Sequence, residues 1–245
     1  MSDTTNLKPG EARCPDHPTT KQLVMRDATG APDSILEESY QFLGDEDISF
    51  EHYTSDEFAE EENNHMWSKV WQWACHEDHI PEEGDYYVYD VGHLSALIVR
   101  LKNNKIKAYY NSCLHRGTQL KPSNSSGVCK ELRCPFHGWT WSIEGKLEFL
   151  PCDWDFPHVN KEEYNLPEVQ IDTWGGFVFI NFDKRAKPLK DFLGVLPDHF
   201  KNWKLEDRYI ETHVVKKLPA NWKACAEAFL EAYHVLETHS QGVYT

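Results

Sequence analysis

Short runs of β-type residues, separated by turn residues, dominate the chain from residue 85 to residue 181. Runs bounded by Gly, Pro, Asn, Asp or Ser are typical of strands in antiparallel sheets. We predict strands over residues 85–90, 94–101, 106–110, 147–150, 169–171 and 176–181. The Asn103-Asn104 pair favours a tight hairpin between the second and third of these strands. The middle of the chain is therefore expected to be mostly antiparallel β.

Helical patterns flank the strands on both sides. One helix is predicted to begin at Thr54, where Glu57 completes a capping box. Its apolar face is formed by Phe58, Met66, Val70 and Trp73. After the strands, the pattern predicts a short helix near residues 192–200, a strand over 209–218 and a helix over about 222–237. Residues 1–46 are polar and interrupted by Pro and Gly, which indicates a loosely packed leader.

Composition excludes several classes of protein. The net charge of −15 over 245 residues disfavours non-specific binding to nucleic acid or to an anionic membrane surface. No run approaches eighteen apolar residues, and the first residues do not resemble a secretory signal, so we expect neither a membrane span nor export. Seven cysteines, an odd number, favour a reducing cytoplasmic protein without a disulfide framework.

The main candidate for chemistry is a pair of Cys/His motifs. Cys113-x-His115 is followed, after eighteen residues, by Cys134-x-x-His137. Residues i and i+2 of an extended segment project to the same side, and Pro135 favours a turn that brings His137 round to Cys134. In a Rieske [2Fe–2S] centre one iron takes two thiolates and the other takes two imidazoles. A Cys₂His₂ zinc site uses the same four ligands and stays open as an alternative.

The residues around these ligands carry a family resemblance. Cys113-Leu-His115-Arg116-Gly117 and Cys134-Pro-Phe-His137-Gly138-Trp139 resemble the two boxes of the bacterial Rieske non-haem iron oxygenases, the aromatic-ring-hydroxylating α subunits. The resemblance extends over roughly residues 47–245. It implies an α+β protein, with a mostly antiparallel β Rieske domain over 47–205 and the first strand and helix of an incomplete, helix-grip-like catalytic domain over 206–245.

A second motif lies near the C-terminal end, at Glu231-x-x-His234-x-x-x-x-His239. Two histidines on an apolar helix are more often packing or surface residues than ligands. Here the preceding Asn221-Trp222-Lys223 is similar to the start of the family's catalytic domain. The resemblance implies that His234 and His239 bind mononuclear Fe(II) and that Glu231 is the electron-transfer bridge between the two metal centres.

Helix geometry constrains this second site. A separation of five residues turns a regular α-helix about 140° past a full turn, so His234 and His239 cannot chelate one ion from a straight helix. Either a π-type bulge lies between them or His239 lies beyond the helix end. No carboxylate follows His239. We therefore expect the third iron ligand to be absent from this chain, the chain to be the N-terminal portion of an α subunit, and the chain alone to be inactive.

The resemblance also implies cofactors and partners. Electrons from NAD(P)H are expected to arrive through a ferredoxin or a flavin/iron–sulfur reductase, and to support O₂-dependent mono- or dioxygenation of a small organic, aromatic substrate. The implied reactions are hydroxylation and demethylation, as in aromatic hydrocarbon catabolism. The full-length protein is expected to be a homotrimer or an α3β3 assembly. Two rival hypotheses are a Rieske electron-transfer module without oxygenase activity and a zinc-binding structural module.

Overall fold

The computed structural model describes Pro18, residues 20–26, Ala28, residues 30–31, residues 46–231 and residues 234–239. Most of the predicted leader therefore lies outside the described residues. Within them, no helix is both long and apolar enough to cross a lipid bilayer.

Ten strands form two antiparallel sheets in the described part of the chain. The strands are β1 Gln72–His76, β2 Asp85–Val91, β3 Leu94–Arg100, β4 Ile106–Tyr110, β5 Ser126–Val128, β6 Glu131–Arg133, β7 Thr140–Ser142, β8 Leu147–Phe149, β9 Glu168–Trp174 and β10 Phe177–Asn181. The larger sheet has the order β1-β10-β9-β4-β3-β2-β5, and the smaller sheet has the order β6-β7-β8. The predicted antiparallel fold is confirmed.

Short helices surround the sheets. The α-helices are α1 Thr20–Val24, α2 Glu51–Thr54, α3 Asp56–Glu62, α4 Leu189–Leu193, α5 Leu196–Phe200, α6 Trp222–Glu227 and α7 Val235–Thr238. A π-helical turn, Asn63–Trp67, continues α3. Short 3₁₀ turns occur at Glu77–His79, Lys102–Asn104, Asp153–Asp155, Lys201–Trp203 and Leu205–Asp207.

The larger sheet is covered on both faces, which explains the almost uninterrupted apolar run in β3. Successive β3 side chains point to opposite faces of the sheet. Leu97 and Val99 join a core shared with the smaller sheet, whereas Ala96 and Ile98 join a second core on the other face. The first core also contains Cys113 and Cys134. Packing of the two sheets thus fixes the place of both Cys/His motifs.

The hairpin prediction is confirmed, but the predicted first helix is partly wrong. Asn103 and Asn104 both have positive φ, 58° and 59°, as a tight β3–β4 connection requires. The N-cap of α3 is Ser55, one residue after the predicted start, and its Oγ accepts a hydrogen bond from the Phe58 amide at 3.1 Å. Trp73 lies in β1, paired with β10, because sheet pairing outweighs the helical spacing of the apolar residues.

Two predictions near the C-terminal end are also wrong. Residues 209–218 form no strand, because a strand requires a hydrogen-bonded neighbour and none pairs with them among the described residues. Val214 and Val215 are each 80% exposed. The helix predicted over 222–237 is instead two short helices, α6 and α7, separated by turns at residues 228–230.

The segment after residue 207 is attached to the larger sheet by two polar contacts. The Ile210 amide donates a hydrogen bond to Asp78 at 2.8 Å. His79 Nε2 lies 3.0 Å from His213 Nδ1. Since His79 Nδ1 already accepts a hydrogen bond from the His76 amide, His79 Nε2 carries the proton and donates a hydrogen bond to His213 Nδ1. Both rings must be neutral for this chain of hydrogen bonds to exist.

We predict that this attachment weakens in mild acid. Burial lowers the pKa of His79 below its ordinary value of 6.5, and His213 lowers it further, against opposing contributions from the hydrogen bond with the His76 backbone and from Asp78. Because the folded pKa is depressed, the stabilisation is present above pH 6.5 and is lost as the pH falls below it. Amide hydrogen exchange over residues 208–214, corrected for its intrinsic pH dependence, should therefore be faster at about pH 5.5 than at about pH 7.5. His213→Ala should remove the pH dependence. Equal protection of the unaltered protein at both pH values would contradict the prediction.

Candidate metal centres

The two Cys/His motifs form two loops of the same shape. In the first, the Cys113 amide donates to the Thr118 carbonyl at 2.8 Å and the Gly117 amide donates to the Cys113 carbonyl at 2.9 Å. In the second, the equivalent bonds run from Cys134 to the Trp139 carbonyl at 2.8 Å and from Gly138 to the Cys134 carbonyl at 3.1 Å. Gly117 and Gly138 have the same φ, +74°, which favours glycine.

The loops bring like ligands together. His115 Nδ1 and His137 Nδ1 are 3.1 Å apart, and their ring centroids are 4.6 Å apart. Cys113 and Cys134 are buried in the core, whereas His137 is exposed. The thiols therefore lie on the inner side of the loops and the imidazoles on the outer side. Within the described residues, no group of three or more Cys, His, Asp or Glu side chains is arranged around a single ion position.

The electrostatics of the loops act on both ligand types. Burial raises the pKa of the Cys113 thiol to about 11, and the adjacent Cys134 thiol contributes to the rise. The backbone amides of His115 and Arg116 oppose it, because they face the sulfur and stabilise negative charge there. Burial, then His137 and then Arg116, lower the pKa of His115. The neutral imidazole that a metal requires is therefore favoured in this loop.

Two residues that support the loops were not predicted from the sequence to do so. The Asn111 side chain is buried, and its Oδ1 accepts hydrogen bonds from the amides of Leu120 and Lys121, at 3.1 and 3.0 Å. Its Nδ2 donates to the Lys121 carbonyl at 2.8 Å, so Asn111 joins the two ends of the first loop. Trp139 stacks on His115 with ring centroids 5.2 Å apart and planes 4° from parallel. The sequence signals that could have indicated these roles were the position of Asn111 next to the first motif and of Trp139 in the second.

The second candidate site is exposed and simpler. Glu231 Oε1 contacts His234 Nδ1, and Glu231 Oε2 accepts a hydrogen bond from the His234 amide at 3.2 Å. With Nδ1 engaged, His234 has Nε2 available for a metal. The His234 and His239 ring centroids are 5.6 Å apart. His239 follows the last residue of α7 with φ −117° and ψ 26°, so it lies beyond the helix end, as one of the two predicted geometries requires.

Comparison with known families identifies the parts of the chain. Residues 70–160, which contain strands β1 to β8 and both loops, match the Rieske [2Fe-2S] domain. Residues 198–245 match the ring hydroxylating alpha subunit (catalytic domain). The chain therefore belongs to the Rieske oxygenase α subunits. The predicted domain limits at residues 46/47 and 205/206 stay predictions.

Known relatives include both mono- and dioxygenases. The carnitine monooxygenase oxygenase subunit of Acinetobacter pittii (strain PHEA-2) is 31% identical over 194 residues, which are 76% of this chain and 51% of the relative. The large oxygenase component of the naphthalene 1,2-dioxygenase system of Pseudomonas putida is 31% identical over 223 residues, 86% of this chain and 46% of the relative. The chain thus spans about half the length of these curated relatives.

Solved structures agree with this grouping. A quaternary ammonium Rieske monooxygenase in complex with L-carnitine superposes with a TM-score of 0.71 at 28% identity, covering 78% of this chain and 55% of that one. Naphthalene 1,2-dioxygenase from Rhodococcus sp. bound to indole gives a TM-score of 0.65 at 31% identity, covering 77% and 44%.

Proposed function

We propose that this chain is the electron-accepting portion of a Rieske oxygenase α subunit, in which Cys113, His115, Cys134 and His137 hold a [2Fe–2S] cluster. The observation that carries the proposal is the pairing of like ligands. The two thiols lie beside each other, and the two imidazoles lie beside each other. A [2Fe–2S] cluster with one Cys₂ iron and one His₂ iron needs this arrangement. When bound, the cluster and a mononuclear Fe(II) supply one-electron transfer and O₂ activation.

We further propose that His234 and His239 supply two ligands of the mononuclear iron, and that Glu231 bridges the two centres. The contact from Glu231 to His234 Nδ1 supports this assignment, because it fixes the tautomer and directs Nε2 outward. An additional carboxylate is required to complete the facial triad.

The proposed reaction is NAD(P)H-dependent hydroxylation or demethylation of a small organic substrate, with a ferredoxin or reductase as the electron donor. The relatives include a carnitine monooxygenase and a naphthalene dioxygenase, so the proposal for this protein extends to both classes of substrate. Oxygen consumption by the complete oxygenase with a competent reductase tests it, with carnitine and naphthalene as substrates. If oxygen consumption yielded no oxidised product from any substrate of these two classes, the proposed reaction would be contradicted.

We also propose a trimeric assembly, either homotrimeric or α3β3, and a cytoplasmic location. The location is supported by four further cysteines that form no disulfide among the described residues, Cys75, Cys129, Cys152 and Cys225. Free thiols of this number are typical of a reducing compartment.

We propose that the basic residues of the segment from Cys113 to Lys146, here called the basic patch, form the docking surface for the electron donor. From Cys113 to Lys146 there are five basic residues, Arg116, Lys121, Lys130, Arg133 and Lys146, and two acidic ones, Glu131 and Glu144. The local charge of five minus two is +3, in a chain of −15. Arg116 is exposed and acts electrostatically on His115. An acidic donor is repelled by most of this protein and attracted to the side of the cluster loops.

We predict that Arg116→Glu slows reduction of the cluster by an acidic donor at low salt. The variant reverses charge beside the outward-facing imidazoles, which lowers the rate of association. The difference should shrink at high salt, because the Debye length is only about 10 Å at 0.1 M. Stopped-flow measurement of cluster reduction at several salt concentrations checks this expectation.

Arg185→Glu is the matched control for Arg116→Glu. Arg185 is also exposed and lies after β10, outside the basic patch, and the substitution changes the net charge by the same amount. It should leave the rate almost unchanged. Equal slowing by both variants would show that total charge, and not this patch, governs association. A salt-independent, unaltered rate in Arg116→Glu would place the docking surface elsewhere.

A further inference from the structure

The helices that precede the Rieske match make a set of polar contacts with α6. Asn221 Nδ2 donates to the Tyr53 carbonyl at 3.0 Å, and the Tyr53 hydroxyl donates to Glu227 at 2.7 Å. Asn221 also caps α6, since its Oδ1 accepts a hydrogen bond from the Lys223 amide at 2.9 Å. Residues 51–67 are thus bound to both ends of α6.

Glu62 lies at the centre of this contact. Its Oε1 accepts a hydrogen bond from Lys223 Nζ at 2.6 Å, and its Oε2 accepts one from Trp222 Nε1 at 3.2 Å. The side chains of Lys223 and Glu62 are only 16% and 12% exposed. Solvent screening is therefore weak, in contrast to the ion pairs on the protein surface.

Aromatic rings enclose the lysine ammonium. Lys223 Nζ lies 5.0 Å from the ring centroid of Phe58, 5.3 Å from that of Trp222 and 5.8 Å from that of Tyr53. These distances are within the range of cation–π attraction. Trp67 packs edge-on against Trp222 with centroids 5.0 Å apart. The enclosure leaves Glu62 as the carboxylate that balances the Lys223 charge, so loss of the Glu62 charge leaves a largely buried cation.

A short, hydrogen-bonded turn connects α6 to the second candidate site. Two turn hydrogen bonds follow α6, from the Phe229 amide to the Ala226 carbonyl at 2.9 Å and from the Leu230 amide to the Glu227 carbonyl at 3.0 Å. Glu231 comes next in the chain, and it contacts His234. The path from Glu62 to the proposed iron ligand therefore contains a helix and turns, with no long loop between them.

We propose that Glu62 is a positioning residue for the proposed iron site, acting through Lys223 and Trp222 on α6. This inference rests on the proposed function for its link to iron. It assigns to residues 51–67, which lie outside both family matches, the role of fixing Glu231 and His234 relative to the Rieske domain. Glu62 itself contacts neither metal centre among the described residues.

Glu62→Gln tests the proposal, with Glu61→Gln as the matched control. Gln keeps the size and an acceptor oxygen but removes the charge. Glu61 is the neighbouring residue on α3, 70% exposed, and contacts His65 at 3.2 Å. Amide hydrogen exchange over residues 222–231 should become about tenfold faster in Glu62→Gln, and loss of mononuclear Fe(II) to a chelator should accelerate by about the same factor. The EPR signal of the reduced cluster should not change.

A second substitution separates positioning from general damage. Removing both partners is less harmful than leaving one charge buried alone. Adding Lys223→Gln to Glu62→Gln should therefore restore part of the lost protection and iron retention. Glu61→Gln should resemble the unaltered protein in every measurement.

The possible outcomes distinguish this inference from the proposed function. A complete, unaltered oxygenase that binds the cluster but no mononuclear Fe(II) would overturn the proposed iron site, and the exchange comparison would still decide whether Glu62 fixes α6. Unchanged exchange in Glu62→Gln would overturn the inference. Faster exchange with unchanged iron retention would also overturn the inference, because the contact would then serve packing alone. Loss of the cluster signal together with faster exchange would overturn it for the same reason.

Discussion

Cys113→Ser and Cys134→Ser should each abolish the Rieske-type EPR signal of the reduced protein. Both thiols are buried at the same core, and the proposed cluster needs both as ligands of one iron. A serine hydroxyl keeps the size but replaces the soft sulfur ligand with a hard oxygen that is still harder to deprotonate. The expected result is complete loss of signal in either variant, measured by EPR after reduction with dithionite.

Cys129→Ser is the control for these substitutions. Cys129 is also buried in the same core and lies between the two loops in sequence, but outside both motifs. Its replacement should preserve the signal. Retention of the signal in Cys113→Ser, or its equal loss in Cys129→Ser, would contradict the assignment of ligands.

Glu231→Gln should leave both metal centres loaded and yet uncouple them. The Glu231 carboxylate contacts both Nδ1 and the backbone amide of His234, so the tautomer and orientation of that histidine depend on it. Loss of such an outer-sphere carboxylate costs about 10- to 100-fold in activity or metal affinity. We expect single-turnover oxidation of the reduced cluster to slow by about this factor in the complete oxygenase. Rapid-freeze EPR and metal analysis measure the two quantities separately.

Glu237→Gln provides the comparison for Glu231→Gln. Glu237 is an exposed glutamate on α7, between His234 and His239 in sequence. Its substitution should leave the single-turnover rate unchanged. If both variants reacted at the rate of the unaltered protein, Glu231 would not be the electron-transfer bridge.

Local sequence signals predicted the elements that depend on local chemistry. The apolar run of β3 and the Asn103-Asn104 turn were both predicted, since burial on two faces and positive φ leave a direct mark on residue type. Strand β1 was mistaken for helix because Met66, Val70 and Trp73 continue a helical spacing. Its pairing with β10, more than a hundred residues away, leaves no local mark. Strands β5, β6 and β7 were not predicted, because they have three residues each, too few to show an alternating pattern.

The ligand residues of the candidate centres were predictable, but their supports were not. The spacing and chemistry of Cys113, His115, Cys134 and His137 predict a metal centre by themselves. Asn111 Oδ1 accepts hydrogen bonds from the Leu120 and Lys121 amides across the first loop, and Glu62 pairs with Lys223 from a distant part of the sequence. A polar side chain in a sequence does not indicate which distant group it meets. The break between α6 and α7 was missed because residues 222–237 are compatible with one continuous helix.

Analysis of iron, zinc and acid-labile sulfide in the purified protein tests the central claim most directly. A Rieske cluster predicts about two inorganic sulfides per chain, with at least as much iron as sulfide and no stoichiometric zinc. A colourless protein that contains about one zinc per chain and no acid-labile sulfide would contradict the account.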